Sequence, residues 1–223
     1  MKYSSYILRR EWYNILLLIF PFAMLPFIWD QMPGQIPIHW NLQGEVDRYG
    51  SKAFGLLILP SMNVFVYLIL LFLPKIDPKE RFTVDQKPLP VIRTITVFFL
   101  LGCHIWILLN ATEKLKINPD WLLLAIAGLF VVFGNYMRTI KPNYFVGIRV
   151  PWALEDETNW RKTHRLGSVV WVSGGLLLVA LFPFISTGIY SNIFGTVTIL
   201  LAAIPIGYSF YLYKNQTNQT EEL

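Results

Sequence analysis

Long apolar runs separated by polar loops set the pattern of this chain. Six runs hold few charged residues, and each is about as long as the roughly 20 residues that an α-helix needs to cross a hydrocarbon core of about 30 Å. The pattern therefore predicts an all-α polytopic membrane protein with six transmembrane helices. The predicted spans are residues 12–29, 53–73, 91–111, 121–137, 166–185 and 192–213.

The first run carries two prolines and follows three basic residues. Pro21 and Pro26 should kink the helix, which neighbouring helices in a membrane can accommodate. Lys2, Arg9 and Arg10 before an apolar run are also typical of a secretory signal peptide. No small-residue cleavage site follows the run, so a retained membrane anchor is the favoured interpretation.

The amino-acid composition also fits apolar runs that lie in lipid. The 223-residue chain is 54% hydrophobic and only 15% charged, whereas soluble domains carry about 25% charged residues. Phe, Trp and Tyr make up 16% of the chain, and many lie at the ends of the runs, where amphipathic rings favour the membrane–water interface. Topology explains the net charge of +5 better than nucleic-acid binding does, so no direct nucleic-acid partner is expected.

The positions of the basic residues predict an orientation. Fifteen of the 19 Lys and Arg residues fall before the first run, in 74–93, in 138–165 or at Lys214. The other four fall in the remaining loops. Because basic residues favour cytoplasmic loops, both chain ends are predicted in the cytoplasm, an N-in/C-in topology.

Two long loops organise the predicted spans. The first, here called the hairpin loop (residues 30–52), is predicted outside and belongs to an N-terminal two-span unit, residues 1–75. The second, here called the signature loop (residues 138–165), is predicted inside and belongs to a four-span unit, residues 91–213. Residues 214–223 repeat Asn-Gln-Thr and are predicted to be a disordered tail.

The hairpin loop alternates apolar and polar positions and then turns. Ile36, Ile38 and Trp40 recur at every second residue, which is typical of an extended strand. Gly44 indicates a turn, and residues 46–49 would return as a second short strand. The loop is predicted to be a small hairpin at the membrane surface. Its aromatic rings either only anchor it there, which these residues alone favour, or form an external binding surface for a peptide or protein.

The signature loop begins with irregular backbone and ends in a predicted helix. Pro142 and Gly147 break regular structure. A helix can start at Pro151, with acidic residues at 155–157 and basic residues later, an order that complements the helix dipole. This amphipathic inner-surface helix should run directly into the fifth span. Its basic residues either rest on anionic lipid or form a docking platform for a cytoplasmic partner.

The two loops, in this order and spacing, resemble the SdpI family of bacterial membrane proteins. The segments IPIHWNLQG (36–44) and DRYGSK (47–52) are similar to that family's small N-terminal domain. The segments GNYMRTIKPNYFVGIR (134–149), PWALE (151–155) and WRKTHR (160–165) resemble its signature. Together with the spans, the resemblance covers nearly the whole chain.

The type member of the SdpI family is the immunity protein for the sporulation-delaying peptide toxin. The resemblance implies a multi-pass protein of the bacterial cytoplasmic membrane that protects the cell from a membrane-active peptide toxin. It also implies signalling, in which the toxin-engaged protein holds a small winged-helix repressor at the membrane. The expected partners are therefore a peptide toxin, this repressor and membrane lipid, and no cofactor is expected.

Each loop supplies one set of candidate site residues. The expected toxin-binding residues of the hairpin loop are Pro37, His39, Trp40, Gly44, Asp47, Tyr49 and Lys52. The expected partner-docking residues of the signature loop are Asn135, Lys141, Pro142, Asn143, Gly147, Arg149, Pro151, Trp152, Trp160, Thr163 and His164.

No motif for covalent or metal chemistry occurs in the sequence. It has no Gly-rich phosphate loop, paired-cysteine metal site or HExxH helix, and its one cysteine, Cys103, is interpreted as a small apolar filler. His39 and His164 are predicted on opposite sides of the membrane, so they cannot share a metal. The protein is therefore not expected to be an enzyme or to hold a metal.

Two other functions are alternatives. One is a small-molecule or lipid transporter, although no Asp or Glu lies deep in a span, where proton-coupled carriers commonly relay protons. The other is a membrane enzyme that uses His164 with Glu155 or Asp156. His104, in the middle of the third span, is either a functional group or a neutral imidazole bonded to a neighbouring helix, and the second interpretation is favoured.

Overall fold

A computed structural model describes residues 9–41, 44–76, 88–112 and 118–221 of the chain. Among these residues the helices are α1 (Trp12–Ile28), α2 (Lys52–Ile76), α3 (Leu89–Ala111), α4 (Asp120–Met137), α5 (Pro151–Glu155), α6 (Glu157–Leu181) and α7 (Thr187–Glu221). Short 3-10 turns, Trp29–Gln31 and Phe182–Phe184, follow α1 and α6. All of these helices except α5 are long and apolar enough to cross a membrane, so the described residues contain six spanning helices, as predicted.

Large apolar side chains on the spanning helices face outward. Phe27, Phe65 and Ile199 are 70%, 64% and 68% exposed. Water would oppose such exposure by about 25 cal/mol for each Å² of apolar surface, whereas the hydrocarbon of a bilayer would not. The outward faces therefore fit lipid as their solvent, which confirms a multi-pass membrane protein.

The hairpin predicted for the hairpin loop is present. Strand β1 (Gln35–Trp40) pairs antiparallel with β2 (Val46–Ser51). Gly44, at the turn, has a φ of +81°, which glycine adopts without the steric cost that a Cβ would bring. Ile36 of β1 is fully buried and packs in an apolar cluster with Leu56 of α2. The hairpin is therefore anchored by its own apolar face as well as by aromatic rings.

One compact unit contains α1, α2, α3 and the hairpin. It comprises Met1–Leu71 and Val91–Trp121. Leu18 of α1, Tyr67 of α2 and Val97 of α3 form a buried cluster inside it. The third span therefore packs with the first two, whereas the predicted division grouped it with the last three. The sequence carries no signal of this grouping, because it depends on side chains that meet across helices.

A second compact unit comprises Phe72–Pro90 and Leu122–Leu223. Its helices approach closely at glycines. An added Cβ at Gly134 of α4 would lie 2.7 Å from the Cβ of Trp171 of α6, and one at Gly175 of α6 would lie 2.8 Å from a carbonyl oxygen of α4. Small residues permit this kind of close helix packing in membranes.

The helix predicted from Pro151 into the fifth span is interrupted. Asp156 is extended (φ −114°, ψ 115°) and separates α5 from α6. Its carboxylate accepts hydrogen bonds from the backbone N–H groups of Thr158 and Asn159, at 2.8 and 3.0 Å. A side-chain cap of this kind starts a new helix, so the prediction of one continuous helix was wrong.

The last helix is longer than predicted. Because α7 runs to Glu221, residues 215–221 are helical, whereas the polar composition predicted a disordered tail over 214–223. A helix already nucleated by a membrane span extends at little cost per residue. In addition, the Gln216 amide donates a hydrogen bond of 2.8 Å to the Asp156 carboxylate. Residues 222–223 lie outside the described part of the chain.

Candidate functional site

Four of the predicted toxin-binding residues line one cavity beside the hairpin. This hairpin cavity has a volume of about 450 Å³, within the range of roughly 300–1,000 Å³ typical of ligand sites. The end of α3 and residues 118–119 complete its wall. The predicted residues that line it are Pro37, Trp40, Gly44 and Tyr49.

Contacts within the first unit fix the shape of the hairpin cavity. The Trp40 ring packs on the Trp106 ring of α3, with 4.5 Å between centroids, and such aromatic pairs contribute about 0.5–1.5 kcal/mol. A Cβ at Gly44 would lie 3.3 Å from the Pro119 ring. The turn of the hairpin therefore closes against the chain that precedes α4, and the cavity is preformed.

The other three predicted toxin-binding residues lie elsewhere on the hairpin. His39 Nδ1 and Asp47 Oδ1 are 2.6 Å apart on the exposed side, joining the two strands. The Lys52 ammonium donates to the carbonyl oxygen of Trp29 at 3.1 Å and lies 5.7 Å from the centre of its ring. These residues hold the hairpin together and attach its base to the end of α1.

The signature loop is fastened to α6 by a buried tryptophan. Trp160 is 1% exposed, and its indole N–H donates a hydrogen bond of 2.8 Å to the carbonyl oxygen of Ile140. Its ring stacks on the His164 ring with 4.0 Å between centroids. The Trp160 ring is therefore enclosed by the loop and is not exposed to a docking partner, as its predicted docking role would require.

His164 makes the second attachment, and its bonds define its tautomer. Its Nε2 accepts a hydrogen bond of 3.0 Å from the backbone N–H of Ile148. Its Nδ1 lies 2.9 Å from the carbonyl oxygen of Trp160 and must carry the proton, since that oxygen only accepts. The ring is thus neutral, with both nitrogens bonded to backbone, an arrangement that speaks against the enzyme alternative.

A turn at Asn143 gives the loop its shape. The buried Asn143 side chain accepts from the N–H groups of Phe145 and Val146 and donates to the Lys141 and Val146 carbonyls, all within 2.9 Å. Gly147 then has a φ of +114°, and a Cβ there would lie 2.4 Å from the Nε2 of His164. Glycine is required at this position for both reasons.

A polar cluster that was not predicted from the sequence joins α6 to α7. The Asn159 amide donates to the carbonyl oxygen of Ser209 at 2.9 Å, and its oxygen accepts from the hydroxyls of Ser209 and Thr163, at 2.6 and 2.9 Å. Of these residues only Thr163 was predicted. The signal available in the sequence was weak, because an Asn and a Ser 50 residues apart carry no mark of their pairing.

The predicted docking residues thus divide into two groups. The exposed or half-buried residues are Asn135, Lys141, Gly147, Arg149, Pro151 and Trp152. Those that are buried and shape the loop are Pro142, Asn143, Trp160, Thr163 and His164. Only the first group is available for direct contact with a partner.

Most exposed charged residues of the signature loop are basic, although Glu155 and Glu157 are exposed as well. The exposed basic residues there are Arg138, Lys141, Arg149, Arg161, Lys162 and Arg165. Of these, Arg149 lines a cavity of about 490 Å³, whose wall also includes Gly147 and residues of α6 and α7. The loop therefore presents positive charge next to a concave surface.

The pKa of Asp156 lies below its ordinary value. Partial burial by itself raises this pKa, but hydrogen bonds from Gln216, Thr158 and Asn159 and the charge of Lys162 together lower it more. The carboxylate is therefore ionised at neutral pH, the form in which it caps α6.

A buried ion pair in the first unit was also not predicted from the sequence. Arg93 Nη2 and Glu11 Oε1 are 2.5 Å apart, and both side chains are almost fully buried. The Asn14 amide and the Tyr67 hydroxyl donate to the other Glu11 oxygen, at 2.7 and 3.2 Å. The pair joins the start of α1 to α3. Its signal in the sequence was that Arg93 lies inside the predicted third span.

His104 of α3 does not make the hydrogen bond to a neighbouring helix that was the favoured prediction. Its side chain is 2% exposed, and among the described residues neither ring nitrogen has a hydrogen-bond partner. It therefore does not bond a neighbouring helix. Instead it lines a second cavity, between α1 and α3.

The fold and the two loops define the class of protein. It is an all-α, multi-pass membrane protein with a β-hairpin in one loop and, in another, an irregular segment that is hydrogen-bonded to α6. Residues 139–209 match the model of the SdpI/YfhL protein family, which confirms the resemblance inferred from the signature loop. Residues 16–64 match a domain of unknown function (DUF1648), which spans α1, the hairpin and half of α2.

A relative of similar length supports the same assignment. The chain is 26% identical over 212 residues to "Immunity protein SdpI" of Bacillus subtilis (strain 168), covering 95% of this chain and 99% of that protein. No solved structure matches the chain.

Proposed function

We propose that this protein protects a cell against a membrane-active peptide toxin. The observation that carries the proposal is the similarity to an immunity protein over almost the full length of both chains. The extent of the aligned region matters, because it includes both long loops and the six spans. A binding role also agrees with the signature loop, whose buried histidine is occupied by backbone contacts.

The hairpin cavity is the proposed place of toxin contact outside the membrane. Trp40 and Tyr49 supply aromatic surface, and the side-chain amides of Asn110 and Asn118 supply polar groups in the same wall. A peptide offers matching apolar side chains and backbone amides. Because the cavity is preformed by the Trp40–Trp106 contact, little ordering cost would oppose binding.

The exposed basic side of the signature loop is the proposed docking surface for a cytoplasmic winged-helix repressor. Its six basic side chains favour an acidic partner surface, and complementary charge speeds encounter and fixes orientation. This step depends on the predicted N-in/C-in topology. Toxin would then have to favour one arrangement of the protein over another in order to change docking.

Survival of toxin-treated cells tests the proposed protection. Cells that lack their own immunity protein would express this chain and be exposed to the sporulation-delaying peptide toxin and to a panel of other membrane-active peptides. We expect survival to rise for at least one peptide, and to fall again with Trp40→Ala at equal protein level. Gly34→Ala is the matched control, because a Cβ there meets nothing within 4 Å. Unchanged survival across the panel would contradict the proposal.

A further inference from the structure

The cavity between α1 and α3 combines an apolar wall with one unsatisfied polar side chain. Its volume is about 380 Å³. Most of its wall is apolar, from Phe20, Met24 and Ile28 of α1 and from Leu101 and Ile105 of α3. His104 lies among these side chains and is only 2% exposed. Its two ring nitrogens are covered by neighbouring groups, and neither has a hydrogen-bond partner among the described residues.

An unpaired imidazole in such surroundings indicates a missing polar partner. A neutral imidazole has one donor and one acceptor nitrogen, and leaving buried polar groups unpaired costs about 1–3 kcal/mol each. The wall contains one other side-chain polar group, the Thr112 hydroxyl, which already donates to the Leu109 carbonyl. An occupant that supplies a hydrogen-bonding group would remove this cost.

Depth in the membrane favours a peptide over lipid as that occupant. His104 lies seven residues before Ala111, the end of α3, which is about 10 Å at 1.5 Å per residue. Headgroup oxygens lie outside the hydrocarbon core, so an ordinary acyl chain at this depth offers only CH₂ groups. A membrane-inserted peptide, in contrast, can carry a serine, threonine or amide side chain at any depth.

We propose that the α1–α3 cavity binds an apolar, membrane-inserted peptide segment, and that the His104 ring turns toward the cavity so that one hydroxyl or amide side chain of the peptide bonds a ring nitrogen. The proposal rests on the proposed function, because it identifies a place within the bilayer where a membrane-active peptide toxin would be held. The hairpin cavity would meet parts of such a peptide outside the membrane.

Synthetic peptides in nanodiscs provide the test. The probes are two Leu/Ala peptides of about 20 residues, one with a single serine about 10 Å from one end and one with alanine there. We expect the serine peptide to bind the full-length protein roughly three- to twentyfold tighter than the alanine peptide, the range of one hydrogen bond within a membrane. Equal binding of the two peptides would overturn the proposal.

Variants of α3 locate the effect. His104→Leu should abolish the preference for serine, whereas His104→Gln, which keeps a donor and an acceptor, should retain most of it. Gly102→Ser is the matched control, because it adds a hydroxyl to an exposed position of α3 outside the cavity wall. A preference for serine that persists in His104→Leu would place binding elsewhere and overturn the proposal.

Survival assays on the same variants separate this proposal from the proposed function. If the unchanged protein and His104→Leu protect cells equally, the cavity proposal fails and the protective function stands. If the unchanged protein protects against no peptide but prefers the serine peptide through His104, the protective function fails and the cavity site stands.

Discussion

The indole N–H of Trp160 donates to the carbonyl oxygen of Ile140, and this 2.8 Å bond fastens the signature loop to α6. Replacing Trp160 with Phe keeps an aromatic ring but leaves the Ile140 carbonyl without that donor. We expect a loss of roughly 1–3 kcal/mol of stability, measured as thermal unfolding in detergent. Faster amide hydrogen exchange over residues 140–148 should accompany it.

Trp152 offers a matched control for that experiment. Its indole nitrogen is buried without a hydrogen-bond partner among the described residues, and its ring packs on Phe210 and Tyr213 of α7. Trp152→Phe therefore removes no hydrogen bond and should change stability much less than Trp160→Phe. Equal losses in the two variants would show that ring size, and not the bond to Ile140, holds the loop.

Gly147→Ala should displace the loop. The added Cβ would meet His164 and also force a side chain into a left-handed backbone conformation, at a cost of about 1–3 kcal/mol. Unfolding midpoints and the His164 ring ¹⁵N shifts should both change. In Gly207→Ala of α7 the Cβ meets nothing within 4 Å, so that variant should be neutral or slightly stabilising. A neutral Gly147→Ala would contradict the described loop.

Asp156 should contribute stability that depends on pH. Its pKa is lower in the folded protein than in the unfolded chain, so its contribution is present above the unfolded pKa of about 3.9. That contribution should be lost as pH falls through the lower folded pKa. Asp156→Ala should cost about 0.5–2 kcal/mol at neutral pH, whereas Asp156→Asn keeps a good cap. The Asn variant should lose this part of the acid sensitivity, and an unchanged pH profile would count against the cap.

Breaking the Glu11–Arg93 pair should be more harmful than removing it. Glu11→Met leaves the Arg93 charge buried without this carboxylate, at a cost of roughly 3–5 kcal/mol, whereas apolar replacement of both partners is often nearly neutral. We therefore expect Glu11→Met/Arg93→Met to unfold at a higher temperature than Glu11→Met alone. A double variant as unstable as the single one would argue that the pair does not act as a unit.

Apolar periodicity was sufficient to predict the spans and the hairpin, because both depend on local patterns. A run of about 20 apolar residues indicates a membrane-spanning helix, and the alternation of Ile36, Ile38 and Trp40 indicates a strand. The break at Asp156 was also local, since an aspartate whose carboxylate accepts from the backbone N–H groups two and three residues later is a helix cap. It was missed because the acidic residues were assigned to the dipole of one longer helix.

Contacts between distant residues could not be predicted in this way. Nothing near Asn159 marks Ser209 as its partner, and nothing near Glu11 marks Arg93. The same limit explains why Trp160 and His164, predicted as docking residues, are buried under the loop. Their motif marks a segment of the chain, but which of its side chains face inward follows from packing, which one sequence does not reveal.

We propose that the hairpin loop meets the environment and that the signature loop meets the cytoplasm. Because Cys103 is the only cysteine, a Cys103→Ser background permits single cysteines at the exposed positions His39 and Arg161. Intact cells would be treated with a membrane-impermeant maleimide before and after permeabilisation. We predict labelling at position 39 in intact cells and at position 161 only after permeabilisation. Labelling of both positions from the same side would contradict the account.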